Sequence, residues 1–381
     1  MNPRFPFSPY PSGWFAIARS MDLLPKAVLP LRWFGQDMVL FRTEDGQARL
    51  AEAFCPHLGA HLGHGGTVQG QSLRCPFHGW CFDGESGRCT EIPFARKIPP
   101  RARITTWPVR EVDGMVLVYR DAPAKSEGRD GSLAGTPPGW EIPSVQSDEW
   151  TGATYFSWKL RTCCQEVLEN TVDAAHLPTV HAASRPARYV PPAPDPADPA
   201  GTAATDGPTL RHALQIQWDG AYIGAPGTEL DVELSIRCHG LGIIFVDTFV
   251  AAMGMRARQR LYITPIDEEH VQLTAALHVR RLESPEATQL VEKMWSDAFQ
   301  ADFVKDFPIW ENKAYKAQPL LSEADGPVAL LRRWARQFYP NDAAAAGAAP
   351  RPDGDPALAP APPQHAHAVA TAPTTLLRQP A

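Results

Sequence analysis

Between Cys55 and Trp80 the chain reads CPHLGAHLGHGGTVQGQSLRCPFHGW, and this stretch constrains the fold more than any other. It contains two short cysteine–histidine pairs, Cys55-Pro56-His57 and Cys75-Pro76-Phe77-His78, separated by the seventeen residues Leu58–Arg74. Each pair has its own proline, and glycines follow both. Thiolates and imidazoles are the side chains that hold transition metals. What this spacing supplies is two rigid loops facing each other, each offering one sulfur and one nitrogen. Pro56 and Pro76 stiffen the loops, and Gly59 and Gly79 allow their tight backbone geometry.

Two metal readings compete. In a Rieske [2Fe–2S] cluster two thiolates hold one iron and two imidazoles the other, and the neutral imidazoles raise the reduction potential. A structural zinc uses the same four side chains, but zinc-finger spacing groups the cysteines and then the histidines. Here they alternate, which favours the Rieske cluster. His61 and His64, between the pairs, read as loop histidines facing solvent rather than as spare ligands.

At 381 residues the chain has room for two domains, of which a Rieske module takes about a third. The formal net charge of −6 gives no electrostatic case for nucleic acid. Besides the motif pair, the cysteines are Cys81, Cys89, Cys163, Cys164 and Cys238. They show no paired framework, which fits a reducing cytoplasm. Cys81 and Cys89 flank a turn and are expected to stay reduced. The N-terminal stretch has no apolar core of signal-peptide length. The most apolar run, Leu241–Met255, is short and carries Asp247, so no membrane-spanning helix is expected. Peripheral membrane contact stays open.

Residues 1–12 are proline-rich and read as an arm. Across 13–122 short apolar runs alternate with turn signals, the mark of an antiparallel β domain. Residues 123–148 read as a linker. The second domain, 149–340, opens with strand-like text and turns helical at Cys163–Ser184. Tyr189–Leu210 is too rich in Pro, Ala and Asp to pack and reads as a flexible excursion. Strand-like runs resume at Leu210, with a hairpin turn at Pro265–Glu269. Ser284-Pro285-Glu286 marks a helix start, serine as N-cap and proline at the first position, for a helix running to about Asp306. A second short helix is expected near Val328–Tyr339. Residues 341–381 are Ala/Pro-rich and expected to be disordered, and their His365 and His367 are given no metal role. No internal repeat is visible.

A second metal constellation lies in Glu169–His181, ENTVDAAHLPTVH. His176 and His181 can turn toward one metal if the helix loosens between them, as Pro178 would cause. Two histidines and one carboxylate with open positions form the facial triad of non-haem iron oxygenases. Alone the histidine pair is weak evidence; joined to the upstream cluster motif it is strong. The carboxylate must come from farther along, where Asp297, Asp302 and Asp306 are on offer. Asp302 and Asp306, four apart, share a helix face, and spacing does not choose between them.

On these residues the chain resembles the Rieske non-haem iron oxygenases, specifically their terminal oxygenase α-subunits. The resemblance spans roughly residues 13–340 and includes the YITPIDEEHV hairpin and DFPIWENKAYKAQPLLSEADGPVALLRRWARQFY. The latter, with Asp-x-x-Ile-Trp, Pro-Leu-Leu, Asp-Gly-Pro and Arg-Arg-Trp, is most similar to the members acting on sterols and steroids, the ketosteroid hydroxylases and cholesterol desaturases. The resemblance implies an α+β protein. Its N-terminal antiparallel β domain would be the Rieske domain, and its C-terminal domain a helix-grip (START-like) catalytic domain with a central antiparallel sheet. It implies that Cys55, His57, Cys75 and His78 hold the cluster. It implies that His176, His181 and Asp306 hold mononuclear Fe(II), Asp306 having the family's spacing ahead of Ile-Trp. Asp173 matches the family's bridging aspartate, which hydrogen-bonds the His176 ligand and His78 of the next subunit in a homotrimer. Asn170 sits where the family often has a polar residue near the iron. The 186–208 excursion and the C-terminal tail depart from the family pattern.

The implied activity is activation of O2 at the mononuclear iron to oxidise a C–H bond of a hydrophobic polycyclic substrate, a sterol or steroid. Hydroxylation and stepwise methyl oxidation both fit. The alternatives are an oxygenase of natural-product or arylamine oxidation, a non-enzymatic Rieske electron carrier, and a lipid-binding module with a structural zinc. The chain has no glycine fingerprint for nicotinamide or flavin and no plant-type ferredoxin cysteine run. A separate NAD(P)H-dependent flavin reductase, with or without a ferredoxin, is therefore expected to supply electrons. The substrate cavity is expected between the sheet and the C-terminal helix. Leu241–Val246, Phe249 and Val250 are apolar enough to line it, although most of them read as plain core.

Overall fold

Short strands, several of them buried over consecutive residues, are joined by tight turns to build the N-terminal part. The protein is represented by a computed structural model that describes residues 4–121, 139–190, 204–220, 226–322 and 324–339. One antiparallel sheet runs β2 (Val28–Trp33), β3 (Gln36–Arg42), β4 (Ala48–Glu52), β9 (Thr106–Trp107). A second runs β5 (Thr67–Gln69), β6 (Ser72–Arg74), β7 (Cys81–Asp83), β8 (Cys89–Glu91). The second sheet carries both cysteine–histidine loops: one leads into β5, the other joins β6 to β7. A third sheet pairs β1 (Gly13–Arg19) and β10 (Val109–Val112) with β11 (Met115–Arg120).

The rest is organised on an antiparallel sheet of eight described strands. Its order is β12 (Thr154–Leu160), β19 (Val271–Val279), β18 (Met255–Pro265), β17 (Ile243–Val250), β16 (Glu229–His239), β15 (Thr209–Asp219) and β13 (Arg188–Val190), with β14 (Ala204–Asp206) also on β15. β18 and β19 are buried nearly throughout, whereas β15 and β16 alternate buried with more exposed residues, one face inward and one outward. Ile243, Phe245 and Tyr262 pack outward on Trp14 and Leu117. Alternate residues such as Ile244 and Leu261 point inward, toward α1 (Cys164–Thr171), α2 (Leu177–Val180) and α3 (Pro285–Phe303). The start of α3 follows from its capping chemistry: Ser284 Oγ accepts the Ala287 N–H at 3.1 Å, and Pro285 occupies the first turn.

Several local expectations shift. Cys163–Ser184 is not one loosened helix. α1 ends at Thr171, Asp173 Oδ1 accepts the N–H groups of Ala175 and His176, and Pro178 helps to start α2 rather than break a helix. α3 ends at Phe303 and tightens into a 3-10 turn, Val304–Asp306, before a further helix, α4 (Phe307–Asn312). α5 (Val328–Ala335) then closes the fold. The N-terminal arm is packed: Phe5 and Phe7 are buried, Phe7 against Tyr315 and Tyr339. The ends of the Pro/Ala-rich excursion, β13 and β14, both pair with β15. The expected linker and excursion lie partly outside the described residues (122–138 and 191–203), and the tail from residue 340 lies wholly outside them.

Candidate metal centres and cavity

The two cysteine–histidine loops share one backbone frame. The Cys55 N–H donates to the Ala60 carbonyl at 2.9 Å and the Cys75 N–H to the Trp80 carbonyl at 2.8 Å, each spanning five residues. Gly59 and Gly79 return their N–H groups to the Cys55 and Cys75 carbonyls at 3.0 and 3.1 Å. Both glycines sit at positive φ, 75° and 70°, which a side chain would resist. The histidine falls one residue later in the second loop, yet the His57 and His78 rings meet with centroids 4.7 Å apart. Trp80, not singled out from sequence, stacks on His57 at 4.5 Å and 11°.

Cys55 and Cys75 are buried and free, as are Cys81 and Cys89. Burial pushes the Cys55 thiol up to about 11, and the neighbouring Cys75 adds to the shift against an opposing His57 N–H. A thiol held this way is relieved by a metal cation, which deprotonates it outright. Two buried thiols opposite two surface-facing imidazoles fit a cluster that is sulfur-ligated on its inner iron and nitrogen-ligated on its outer one. His64 is exposed and His61 half-buried, so neither crowds the pair.

The second site gathers two distant chain segments. Ligand atoms of His176, His181 and Asp306 all lie within 4.8 Å of one another. His176 caps the start of α2 and His181 its end, so one helical turn sets the two rings 5.2 Å apart and nearly perpendicular. Trp218 Nε1 donates to the His181 carbonyl at 3.1 Å and ties that turn to β15. Asp302 and Asp306 both address His181, from opposite sides. Asp306 Oδ2 lies 3.3 Å from Nε2, and Asp302 Oδ2 lies 2.9 Å from Nδ1. The Nδ1 contact is at ion-pair distance, but the ring N–H is not aligned along it, so its character is mainly electrostatic. Asp173 Oδ2 stands 3.7 Å behind His176 Nδ1, and Asn170 Nδ2 bridges His176 Nε2 at 3.3 Å and Asp306 Oδ2 at 3.2 Å. Within one chain Asp173 contacts His176 and not His78.

Electrostatics show what charge this site favours. Burial alone would lower His181, yet Asp302 and Asp306 raise it to about 9. Two buried carboxylates thus favour positive charge at the imidazole. A divalent cation at Nε2 supplies that charge instead, with the imidazole neutral as metal binding requires. Two imidazoles and a carboxylate are the donor set of non-haem Fe(II).

These groups line a cavity between the sheet and the helices. Trp295, Phe299 and Phe303 of α3 form one wall, and inward side chains of β15–β18 the other. Of the residues expected to line it, Ile244 and Val246 do. Ile243 and Phe245, by strand alternation, face the N-terminal sheets.

Residues 132–339, more than half of the chain, match the family described as 3-Ketosteroid 9alpha-hydroxylase C-terminal domain, and residues 13–108 match the Rieske [2Fe-2S] domain. Cholesterol 7-desaturase nvd of Xenopus laevis is 29% identical, over 87% of this chain and 72% of the relative. The probable 3-ketosteroid-9-alpha-monooxygenase, oxygenase component, of Rhodococcus rhodochrous is 30% identical, over 87% of this chain and 80% of the relative. Among solved structures, dicamba monooxygenase bound to dicamba superposes with a TM-score of 0.63 at 18% identity, covering 87% of this chain and 98% of that one. The chain belongs to the Rieske oxygenases, in the family defined by the 3-ketosteroid 9alpha-hydroxylase C-terminal domain. Its cofactors are a Rieske [2Fe–2S] cluster and a mononuclear iron. As an oxygenase component it takes electrons from separate proteins. Among the described residues no helix is long and apolar enough to cross a membrane.

Proposed function

We propose that this chain is the oxygenase component of a multicomponent monooxygenase that oxidises a C–H bond of a sterol or steroid, by hydroxylation or stepwise methyl oxidation. The observation that carries this reading is the convergence of His176, His181 and Asp306 on an apolar cavity. The lining of that cavity, mostly apolar and aromatic side chains with a few polar groups, suits a hydrophobic ligand. Similarity to a cholesterol desaturase and a ketosteroid monooxygenase supports the substrate class.

In this reading Cys55, His57, Cys75 and His78 hold the cluster, and His176, His181 and Asp306 hold the iron. When bound, the two centres supply single electrons and dioxygen activation. Asp302 fixes the His181 ring so that Nε2 meets Asp306. Asn170 donates to Asp306 and orients its carboxylate. The aromatic wall of α3 excludes water and positions the ring system. The Asp173 side chain is 38% exposed, which leaves it open to His78 of a neighbouring subunit in a homotrimer. Such a carboxylate couples the two centres by orienting a ligand of each. The electron donor is an NAD(P)H-dependent flavin reductase, directly or through a ferredoxin. The seven free cysteines fit the cytoplasm, and a peripheral membrane contact would give access to sterols.

The test is product analysis with a surrogate reductase and a sterol panel, beside metal content. Expected are an oxidised sterol and about three irons and two acid-labile sulfides per chain, the sum of the two centres. Turnover of an aromatic amine with no affinity for any sterol rejects the substrate class. A chain with iron only in the cluster rejects the enzyme.

A further inference from the structure

The sheet wall of the cavity carries one polar pair. Thr248 on β17 and Gln259 on β18 both line the cavity, and they are only 3% and 4% exposed. Around them the same wall presents Ile236, Ile244, Val246 and Leu261. Among the described residues the two side chains hydrogen-bond each other. Thr248 Oγ1 donates to Gln259 Oε1 at 3.1 Å, or accepts from Gln259 Nε2 at 3.1 Å. A carboxamide offers two N–H donors and two acceptor lone pairs. One hydroxyl engages at most one of each. At least one donor and one acceptor are left over, and exchanging the carboxamide oxygen and nitrogen leaves the same remainder. Buried polar groups in folded proteins are otherwise satisfied. The remainder therefore marks a place where a ligand atom completes the set.

We propose that Thr248 and Gln259 recognise an oxygen of the substrate, a ketone or hydroxyl carried on an otherwise apolar ring system; this rests on the substrate class argued above. The pair stands on the sheet wall, whereas His176, His181 and Asp306 come from the helical segments. The recognised oxygen is therefore distinct from the carbon that is oxidised. Gln259 N–H donates to a ketone or hydroxyl oxygen, and its carbonyl oxygen accepts from a hydroxyl. Thr248 fixes the carboxamide in place. The pair tolerates exchange of ketone for hydroxyl but not loss of the oxygen, because a hydrocarbon edge leaves its buried groups unpaired. It determines specificity and touches no reacting atom.

The holoprotein is titrated with a ring-ketone steroid and with the hydrocarbon lacking that oxygen, and likewise with an aryl ketone and its hydrocarbon. Binding is read from ligand-induced spectral change, and KM and kcat from turnover. The ketone is expected to bind roughly 10–100-fold tighter, the size of one buried hydrogen bond. Gln259→Leu should bring that ratio close to one, mainly through KM, and Thr248→Val should leave an intermediate ratio. Cluster absorbance and iron content verify that each variant is folded; if Gln259→Leu fails that check, Thr248→Val decides, and an unchanged ratio there overturns the inference. An unchanged ratio in folded Gln259→Leu, or equal affinities in the unsubstituted protein, overturns it while steroid turnover and the substrate class stand. If neither steroid binds, the substrate class fails instead, and the aryl ratio decides the role of Gln259.

Discussion

The two metal regions are built in opposite ways. The Rieske loops repeat one local frame twice, with the four proposed cluster ligands between Cys55 and His78 and the histidines turned toward the surface. The mononuclear site is made by convergence: His176 and His181 come from one helical turn, Asp306 from a 3-10 turn far along the chain, and Asp306 is buried. A repeated local frame keeps its shape with little help from elsewhere. A convergent site depends on every element that aims a side chain into it. The sharpest way to break this contrast is Asp306→Ala. It should empty the mononuclear site and lower turnover about a thousand-fold or more, since the metal's chemistry is lost, while the cluster's visible absorbance stays intact. Loss of both iron signals together would mean that the two regions fold as one unit.

The same contrast decides what was legible in the sequence. The Rieske loops are read from residue order because their hydrogen bonds close within five residues. His176 and His181 were legible as a pair for a similar reason, although the break in the helix was misplaced. Asp173, not Pro178, turns the chain, by capping the N–H groups of Ala175 and His176. Asp302 and Asp306 were not separable by spacing, because residues four apart share one face of an uninterrupted helix; the structure instead places Asp306 in the 3-10 turn after α3. Only the position of the imidazole between them assigns Asp306 to Nε2 and Asp302 to Nδ1. Thr248 and Gln259 were missed because other polar residues flank them, Asp247 beside Thr248 and Arg258 and Arg260 on either side of Gln259, so neither stands out in its strand. Strand alternation groups Thr248 with Ile244 and Val246, but nothing local says which face holds the cavity. The packed arm was missed because Phe7 finds its partners, Tyr315 and Tyr339, more than three hundred residues away, and Phe5 stacks on Phe7.

Burial of histidine sharpens the contrast further. His212 and His239, in the catalytic sheet, are buried and their pKa values are depressed to about 4, by desolvation first and, for His239, by Arg237 and Arg260 as well. His212 Nε2 donates to the Thr171 carbonyl at 2.7 Å, at the end of α1 that leads into the iron site. The unfolded chain protonates these groups near pH 6.5, before the folded chain does. Stability is therefore lost as pH falls from about 6.5 to about 4, at up to about 1.4 kcal/mol per pH unit for each histidine. His212→Gln keeps a donor for Thr171 and removes one titration. Urea midpoints across this window should show a shallower pH slope for the variant, by about one histidine's worth. Identical slopes would mean that His212 is not neutral in the folded protein.

The finest comparison lies within the mononuclear site, where two carboxylates stand behind the two histidines proposed as ligands. Asp302 is nearly buried, contacts His181, and is itself held by Lys305 at 2.8 Å. Asp173 is partly exposed and contacts His176 from farther away. Carboxylates behind metal-bound histidines tune affinity by about 10–100-fold. Asp302→Ala should therefore weaken Fe(II) binding by that factor, read by competition with a chelator, and iron resupply should restore turnover. Asp173→Ala should keep its iron and its reducible cluster but form little product per electron delivered, because the proposed role of Asp173 is to couple centres across a subunit boundary. The readouts are thus expected to separate: iron affinity for Asp302, coupling for Asp173. Normal coupling in Asp173→Ala, with product matching electrons consumed, would leave Asp173 as a capping residue for the turn before His176 and remove the bridge.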